Sequence, residues 1–495
     1  MKKTQTKTPY SEENRLKWES NLIDSVITYI KAMNTIVNPT QIVYIAVDGV
    51  APMAKIRQQR VRRFKSAIQA EEEGRIRAQA KGIPYVAKER WDTNSITPGT
   101  KFMEKLSIEL RKYAKTNPKK IIVSPADEPG EGEQKIMDYL RQSTIQDAVI
   151  YGLDADLIVL SLYAFAKQNI QVDLFREEVE INGMIKEDSS GKESYLYLRT
   201  DILSDALFSE FNKKQTKQEF LIDFVALMSI LGNDFVPHGM ALKIRDEGIE
   251  KILAIYKTIQ QPLLENDTYN QEALKVLFRN IQEKEATWLL KNVKSKLKAR
   301  IGFSQSRNAE DIALAKQNDL PVEWAAEACL VEDIQVEGYE KPHLALKPDW
   351  KEIYDKEALW GSEPEEAAKI YLEALSWTFA YYSGKPVDTY WYYPWLLPPR
   401  AETILKVLDQ KTTQIPITVR PIIKPLEQLA MVLPMSSFTL LPQEYRGLEK
   451  NHPYAWPVAW KTYSFGRRFL WECEPLIPLI QPPQMKKWIE ELYEE

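Results

Sequence analysis

The chain has 495 residues, 44% of them hydrophobic and 27% charged, and a formal net charge of −4. That balance excludes a generally basic nucleic-acid-coating protein, so any nucleic-acid site must be local, while the length favours two or three lobes with a large core. Two distant cysteines, Cys329 and Cys473, and three scattered histidines, His238, His343 and His452, exclude a cysteine-rich zinc module and fit a reducing compartment, here expected to be the cytoplasm, with the nucleus also open.

The opening, MKKTQTKTPYSEENRLKW, carries lysines with no apolar run behind them, so no secretory signal is expected. No segment approaches the roughly 18 apolar residues of a membrane span. The first clear element is Ile42–Val47, an apolar run rich in β-branched residues, as in a strand buried on both faces. Asp48 follows it directly. Next comes GVAPMAKIRQQRVRRFKSA, where Lys55, Arg57, Arg60, Arg62, Arg63 and Lys65 fall within eleven residues. At helical spacing Lys55, Gln59, Arg62 and Arg63 share a face suited to a terminal phosphate. A solvated charged helix is the usual fate of such a run, but this one has few acids and is tethered beside Asp48. The following AEEEGRIRAQAKG mixes both signs and reads as a solvated helix.

Ile121–Val123 and Ala148–Tyr151 repeat the strand pattern. Glu131 and Glu133 follow the first, in PGEGEQKIMDYLR; Asp154 and Asp156 follow the second, in YGLDADLIVLSL. Residues 184–194 read as an exposed loop between strand-like Gln171–Phe175 and Tyr195–Leu198. An apolar core helix, Leu221–Leu231, leads to Asp234 in LGNDFVPH. Residues from about 245 to 330 read as helical and charged, and after about 345 tryptophan, tyrosine and proline become dense, as in TYWYYPWLLPP. The expected fold is therefore α/β, with a largely parallel sheet flanked by helices and a mixed, aromatic-rich second region packed on it. The expected divisions are a first region at 1–245 that carries these acids, a helical connection at 246–345 and the second region at 346–495.

Acids just past the carboxyl ends of parallel strands converge on one place. Any one of them could be a helix-dipole partner. Together, Asp48, Glu131, Glu133, Asp154, Asp156 and Asp234 would repel unless cations held them ionised. Two hard magnesium ions roughly 3.5–4 Å apart would answer that need and suit phosphoryl displacement. Glycines beside the acids (Gly49, Gly130, Gly132, Gly152, Gly232) allow close backbone approach.

YIAVDGVAPMAKIRQQRVRRF, NSITPGTKFM, PGEGEQKIM, YGLDADLIVLSL and LGNDFVPH resemble, in order, the motifs of the Xrn-type 5′→3′ exoribonucleases. LSWTFAYYSGKP with YWYYPW, KPLEQLAMVLPMSSFTLLPQEYR and FLWECEPLIPLI extend the likeness to about residue 480. The resemblance implies a PIN-like, FEN-type catalytic fold with two Mg²⁺ ions, for which Mn²⁺ can substitute. It also implies processive hydrolysis of single-stranded RNA from a 5′-monophosphate end to nucleoside 5′-monophosphates. It places Asp48, Glu131, Glu133, Asp154, Asp156 and Asp234 at the metals and Lys55, Gln59, Arg62 and Arg63 around the 5′-phosphate. Trp391, beside Tyr390, is the base-stacking candidate, although Thr389 stands where the family has a first tryptophan. His238 reads as a structural hydrogen-bonding residue. The family's opening, with its strand ending in aspartate and a base-stacking histidine, is not found. SNLIDSVITYIKAMNTIVNPT at 20–40 already resembles the helix after it. The alternatives are a weakened RNA-binding or assembly subunit, a split enzyme whose missing segment comes from a protein partner, and a structure-specific DNA flap nuclease.

Overall fold

The structure is a computed structural model that describes residues 9–87, 89–152, 154–179, 185–187, 193–210, 215–298, 308–319, 329–337, 339, 341–410, 418, 420–467 and 469–493. Most of the loop expected at 184–194 lies outside the described residues. The chain order begins α1 (Arg15–Val37), β1 (Val43–Ala46), α2 (Met53–Ala80), α3 (Lys101–Thr116), β2 (Ile121–Ser124) and α4 (Gly132–Gln142). It continues β3 (Asp147–Tyr151), α5 (Asp156–Gln168), β4 (Gln171–Glu177), β5 (Tyr195–Arg199), α6 (Thr200–Glu210), α7 (Lys217–Ile230) and α8 (Gly248–Tyr256). After these come α9 (Gln271–Lys298), α10 (Ala309–Asn318), α11 (Trp350–Leu359), α12 (Pro364–Tyr382), α13 (Ala401–Asp409) and α14 (Pro425–Val432).

The apolar runs become strands at the expected places, but not in one largely parallel sheet. β1 and β2 form a parallel pair with Val43 opposite Ile121. β3 and β4 form another, with Asp147 opposite Gln171, and β5 adds antiparallel to β4. The remaining named strand pairs are short and antiparallel. Helix dominates because long apolar faces, such as those of α7 and α12, bury against one another rather than against strands.

α1 and α3 cover one face of the β1–β2 pair. Leu22, Ile23, Phe102 and Leu110 are buried there, with Ile45, Val47 and Val123 packed against them. α4 covers the other face, where Tyr139 stacks on Tyr44 at 4.5 Å. A much larger core joins α5 and α7 to α9, α12 and α13. In it Asp223, the buried acid of the apolar helix α7, is spent on structure: its carboxylate accepts from the amides of Leu263 and Leu264 and from the Tyr256 hydroxyl.

The second region clamps the start of α2. Met53, Ile56 and Phe64 are buried with Leu429, Met431, Trp456 and Trp488. Each fully buried side chain of this kind contributes roughly 1.5–3 kcal/mol. Among the described residues, no helix is long and apolar enough to cross a membrane.

Candidate active site

Asp48 sits two residues past β1, and its position is set by glycines. A Cβ on Gly49 would lie 1.8 Å from the Glu128 carbonyl oxygen. Only glycine therefore lets the two loops meet, with the Gly49 amide donating to the Gly130 carbonyl and the Gly130 amide to that of Val50, both at 2.8 Å. The approach brings the start of α4 against Asp48, whose Oδ1 accepts from the Gly132 amide at 2.7 Å. Asp48 thus also serves as a dipole partner for α4, the role any single acid of this kind can fill. Lys135 closes the same junction from below by donating to the carbonyls of Val47 and Pro125 at 2.8 Å each.

Glu131 is the N-cap residue of α4 and Glu133 lies on its first turn, while Asp156 lies on the first turn of α5. Asp234 follows α7 through Gly232, whose positive φ of 94° and close approach to His238 leave no room for a side chain. His238 is half-buried, its Nδ1 3.3 Å from the Gly239 carbonyl, and desolvation pushes its pKa down to about 3. It is therefore neutral at neutral pH. All six acids fall within one electrostatic network. Burial first, then the Glu131, Asp156 and Asp154 carboxylates, push Glu133 up to about 8, despite the opposing Lys55 charge. Burial and the Asp234 and Asp154 carboxylates push Asp156 up to about 6. Asp48 raises Glu131 as well, although there burial is the larger cause.

Lys55 is the internal counter-ion. Its ammonium lies 2.8 Å from Glu131 Oε1 and 2.5 Å from Asp234 Oδ2. Burial alone would lower its pKa, but these two carboxylates outweigh it and hold the charge. Gln58 donates to the other Asp234 oxygen at 2.5 Å. The rest of the basic run divides. Arg57 donates to the Pro394 carbonyl and Lys65 to that of Trp471. Arg60, only 1% exposed, donates to the carbonyls of Pro478, Met431 and Ala455. These three tie α2 to the second region and are not free for substrate. Gln59 meets Gln428 at 3.3 Å and Arg63 donates to the Thr97 hydroxyl. Arg62 is exposed and pairs with no acid among the described residues.

Two residues of the site have no counterpart in the reading of the sequence. Tyr381 and Tyr382 end α12, and their hydroxyls donate to Glu131 Oε2 at 2.7 Å and Asp156 Oδ2 at 3.0 Å. The only signal was the YY pair in LSWTFAYYSGKP, which looks like core packing. Tyr381 also begins an aromatic stack: Trp377 lies on it at 5.2 Å and 15°, and Trp391 on Trp377 at 5.2 Å and 24°. Trp391, half-buried, is therefore linked to the acid cluster through two rings. Tyr390 packs instead on the second core, under Arg420. Groups that orient metal-binding carboxylates typically matter about 10–100-fold in metal affinity. Tyr381→Phe and Tyr382→Phe are each expected to weaken Mn²⁺ binding by about that factor. Calorimetric titration of each variant checks it, and unchanged affinity in both would remove the tyrosines from the site.

The donor set fits a hard divalent cation: six carboxylates, no sulfur or imidazole, and two acids whose pKa values are raised by burial and by neighbouring carboxylates. Among the described residues, however, no group of three or more side chains is arranged closely enough to hold one ion. The metal-free cluster therefore has a pH signature. Glu133 and Asp156 titrate above their ordinary values of 4.5 and 3.8, so the folded chain keeps protons that the unfolded chain has released. Stability is then greatest below those values and falls as pH rises through about 6 and about 8. The loss is expected to amount to roughly a few kcal/mol. Tm in chelator should decline over that window, and saturating Mg²⁺ should flatten the decline.

A family model described as "XRN 5'-3' exonuclease N-terminus" matches residues 1–178, and one described as "Xrn1 helical domain" matches 215–336 and 347–495. The chain is similar to the human "5'-3' exoribonuclease 1", 26% identical over 95% of this chain and 31% of that protein. It is also similar to "5'-3' exoribonuclease 2" of Gallus gallus, 27% identical over 96% of this chain and 63% of that protein. For "5'-3' exoribonuclease 2" of Arabidopsis thaliana the values are 27%, 94% and 59%. The chain spans less than two-thirds of the length of each of these relatives.

Proposed function

Since the chain belongs to the Xrn-type 5′→3′ exoribonuclease family, we propose that it shortens single-stranded RNA from a 5′-monophosphate end, using Mg²⁺ and releasing nucleoside 5′-monophosphates. The observation that carries this reading is the position of α2. One end of the helix places Lys55 inside the acid cluster, and two turns later it presents exposed Arg62 beside Arg63. Seven residues of helix span about 10 Å, so a phosphate held by the arginines keeps the RNA end close to the acids.

Each group then has a task. Arg62 supplies a forked, solvent-facing donor set for a terminal phosphate, and Arg63 adds a second charge steadied by Thr97. Glu131, Glu133, Asp154 and Asp156, with Asp48 and Asp234, would hold the divalent ions. When bound, these ions would supply an activated water and charge neutralisation for phosphodiester hydrolysis. Tyr381 and Tyr382 fix two of those carboxylates. Lys55 limits repulsion within the cluster before cations enter. Trp391 offers a sequence-tolerant stacking plane for a base.

Arg62→Ala combined with Arg63→Ala is expected to abolish the preference for 5′-monophosphate over 5′-triphosphate RNA, with a loss of about 100-fold in kcat/KM on the monophosphate substrate. Time courses on the two RNAs with wild-type and variant protein test it. If the purified chain leaves monophosphate RNA intact in Mg²⁺ and in Mn²⁺, the enzymatic reading fails. One observation favours a second reading, RNA end-binding without turnover: the acids are partly neutralised by Lys55, and no three side chains gather at coordinating distance among the described residues. End-dependent binding without product would establish it.

A further inference from the structure

The second region reaches the basic face of α2 through one buried amide. Leu429 and Met431 of α14 are buried against Met53 and Ile56 of α2. Gln428, beside Leu429, is fully buried. A polar side chain in such a core costs free energy unless its amide finds partners. Gln428 has one at each end. Its Oε1 accepts from the Ala51 amide at 2.9 Å, and its Nε2 donates to Gln59 Oε1 at 3.3 Å.

The order of these bonds is forced. A backbone N–H can only donate, so the Gln428 atom facing Ala51 is the oxygen. The other end of that amide is then the nitrogen, which also can only donate, so the Gln59 atom facing it is the oxygen. Gln59 is left with Nε2 as its outward atom, and among the described residues no acceptor meets it. Gln59 precedes Arg62 and Arg63 by three and four positions on α2, so the three share a face. Arg63 is fixed from the same region. It donates to the Thr97 hydroxyl, which donates to the Asn94 carbonyl at 2.6 Å, and the Asn94 side chain donates to the Ser437 hydroxyl at 3.0 Å.

We infer that Gln428 is a positioning residue for end recognition: it locks the Gln59 amide so that its donor, and not its carbonyl, faces a terminal phosphate held by Arg62 and Arg63. Phosphate oxygens at the end of an RNA accept hydrogen bonds, so an unlocked glutamine would turn a repelling carbonyl toward them part of the time. Orienting the amide beforehand also spares the cost of ordering it on binding. Gln428 is buried behind Gln59 and acts only through it. The inference rests on the proposal that Arg62 and Arg63 hold the 5′-phosphate.

Gln428→Glu tests it. A carboxylate accepts at both oxygens, so the one facing Gln59 draws in Nε2 and turns Oε1 toward the phosphate. Binding of short 5′-monophosphate and 5′-hydroxyl RNAs is followed by fluorescence anisotropy in chelator, where no hydrolysis competes. The expected result is a loss of at least about tenfold on the monophosphate RNA and a change under about twofold on the hydroxyl RNA. In a Gln59→Met background the same substitution should cost under about twofold on both, because its effect passes through the Gln59 amide. With Mg²⁺, KM for the monophosphate RNA should rise while kcat holds. A loss that persists in the Gln59→Met background overturns the inference in favour of plain charge repulsion. An undiminished preference for the monophosphate end in Gln428→Glu overturns it too. Urea titration reports on folding. If Gln428→Glu is unfolded, Gln428→Met, which removes the lock without adding charge, takes its place, with an expected loss of about threefold that again vanishes in the Gln59→Met background. Wild-type protein that binds both RNAs equally overturns the end-reading proposal itself, and this inference with it.

Discussion

Asp156→Ala is expected to lower Mg²⁺-dependent RNA shortening by at least about 100-fold, since even the partners of metal-binding groups matter about 10–100-fold. Asp156 opens α5, is held by the Tyr382 hydroxyl and faces Asp234 and Asp154. Its raised pKa means that its charge is unwelcome without a cation, so its loss relieves repulsion. The variant should therefore fold at least as well as the wild type in chelator at pH 8. That pairing of lost activity with kept stability separates a metal-site role from a structural one. Activity within tenfold of wild type would sink it. The comparison uses initial rates on 5′-monophosphate RNA and urea titrations of both proteins.

Lys55→Met should have the opposite profile in stability. Lys55 and Glu131 are nearly buried, with side-chain exposures of 14% and 6%. Removing one member of such a pair leaves an uncompensated carboxylate and costs about 3–5 kcal/mol. Added Mg²⁺ should recover part of the loss, because a cation can take over the role of the ammonium. Glu131→Gln in the Lys55→Met background should recover part of it too. A loss under about 1 kcal/mol in chemical denaturation would place the pair with ordinary surface ion pairs.

Much of the site was legible from residue order. Asp48, Glu131, Asp154 and Asp156 stand just past apolar, β-branched runs, and those runs became β1, β2 and β3. Gly49 and Gly232 were legible as close-approach positions, because no other residue fits there. The tyrosine pair was not legible. Tyr381 and Tyr382 lie about 250 and 226 positions from the acids they hold, and an apolar helix ending in aromatics has the same pattern whether its hydroxyls meet carboxylates or water. The fate of the basic run was also hidden. Arg60 and Arg62 are both arginines two positions apart, but one is buried under three carbonyls and the other faces solvent.

By itself the sequence determined which segments are strands, which acids follow them and where the backbone must be glycine, because these depend on local side-chain pattern and sterics. Only the tertiary structure decided that the acids share one field, that Lys55 sits among them and that Arg57 and Arg60 are structural. It alone decided, too, that the parallel strands form two separate ladders. Each of these depends on which distant groups meet, and burial and Coulomb energy are set by that meeting rather than by neighbours in the chain.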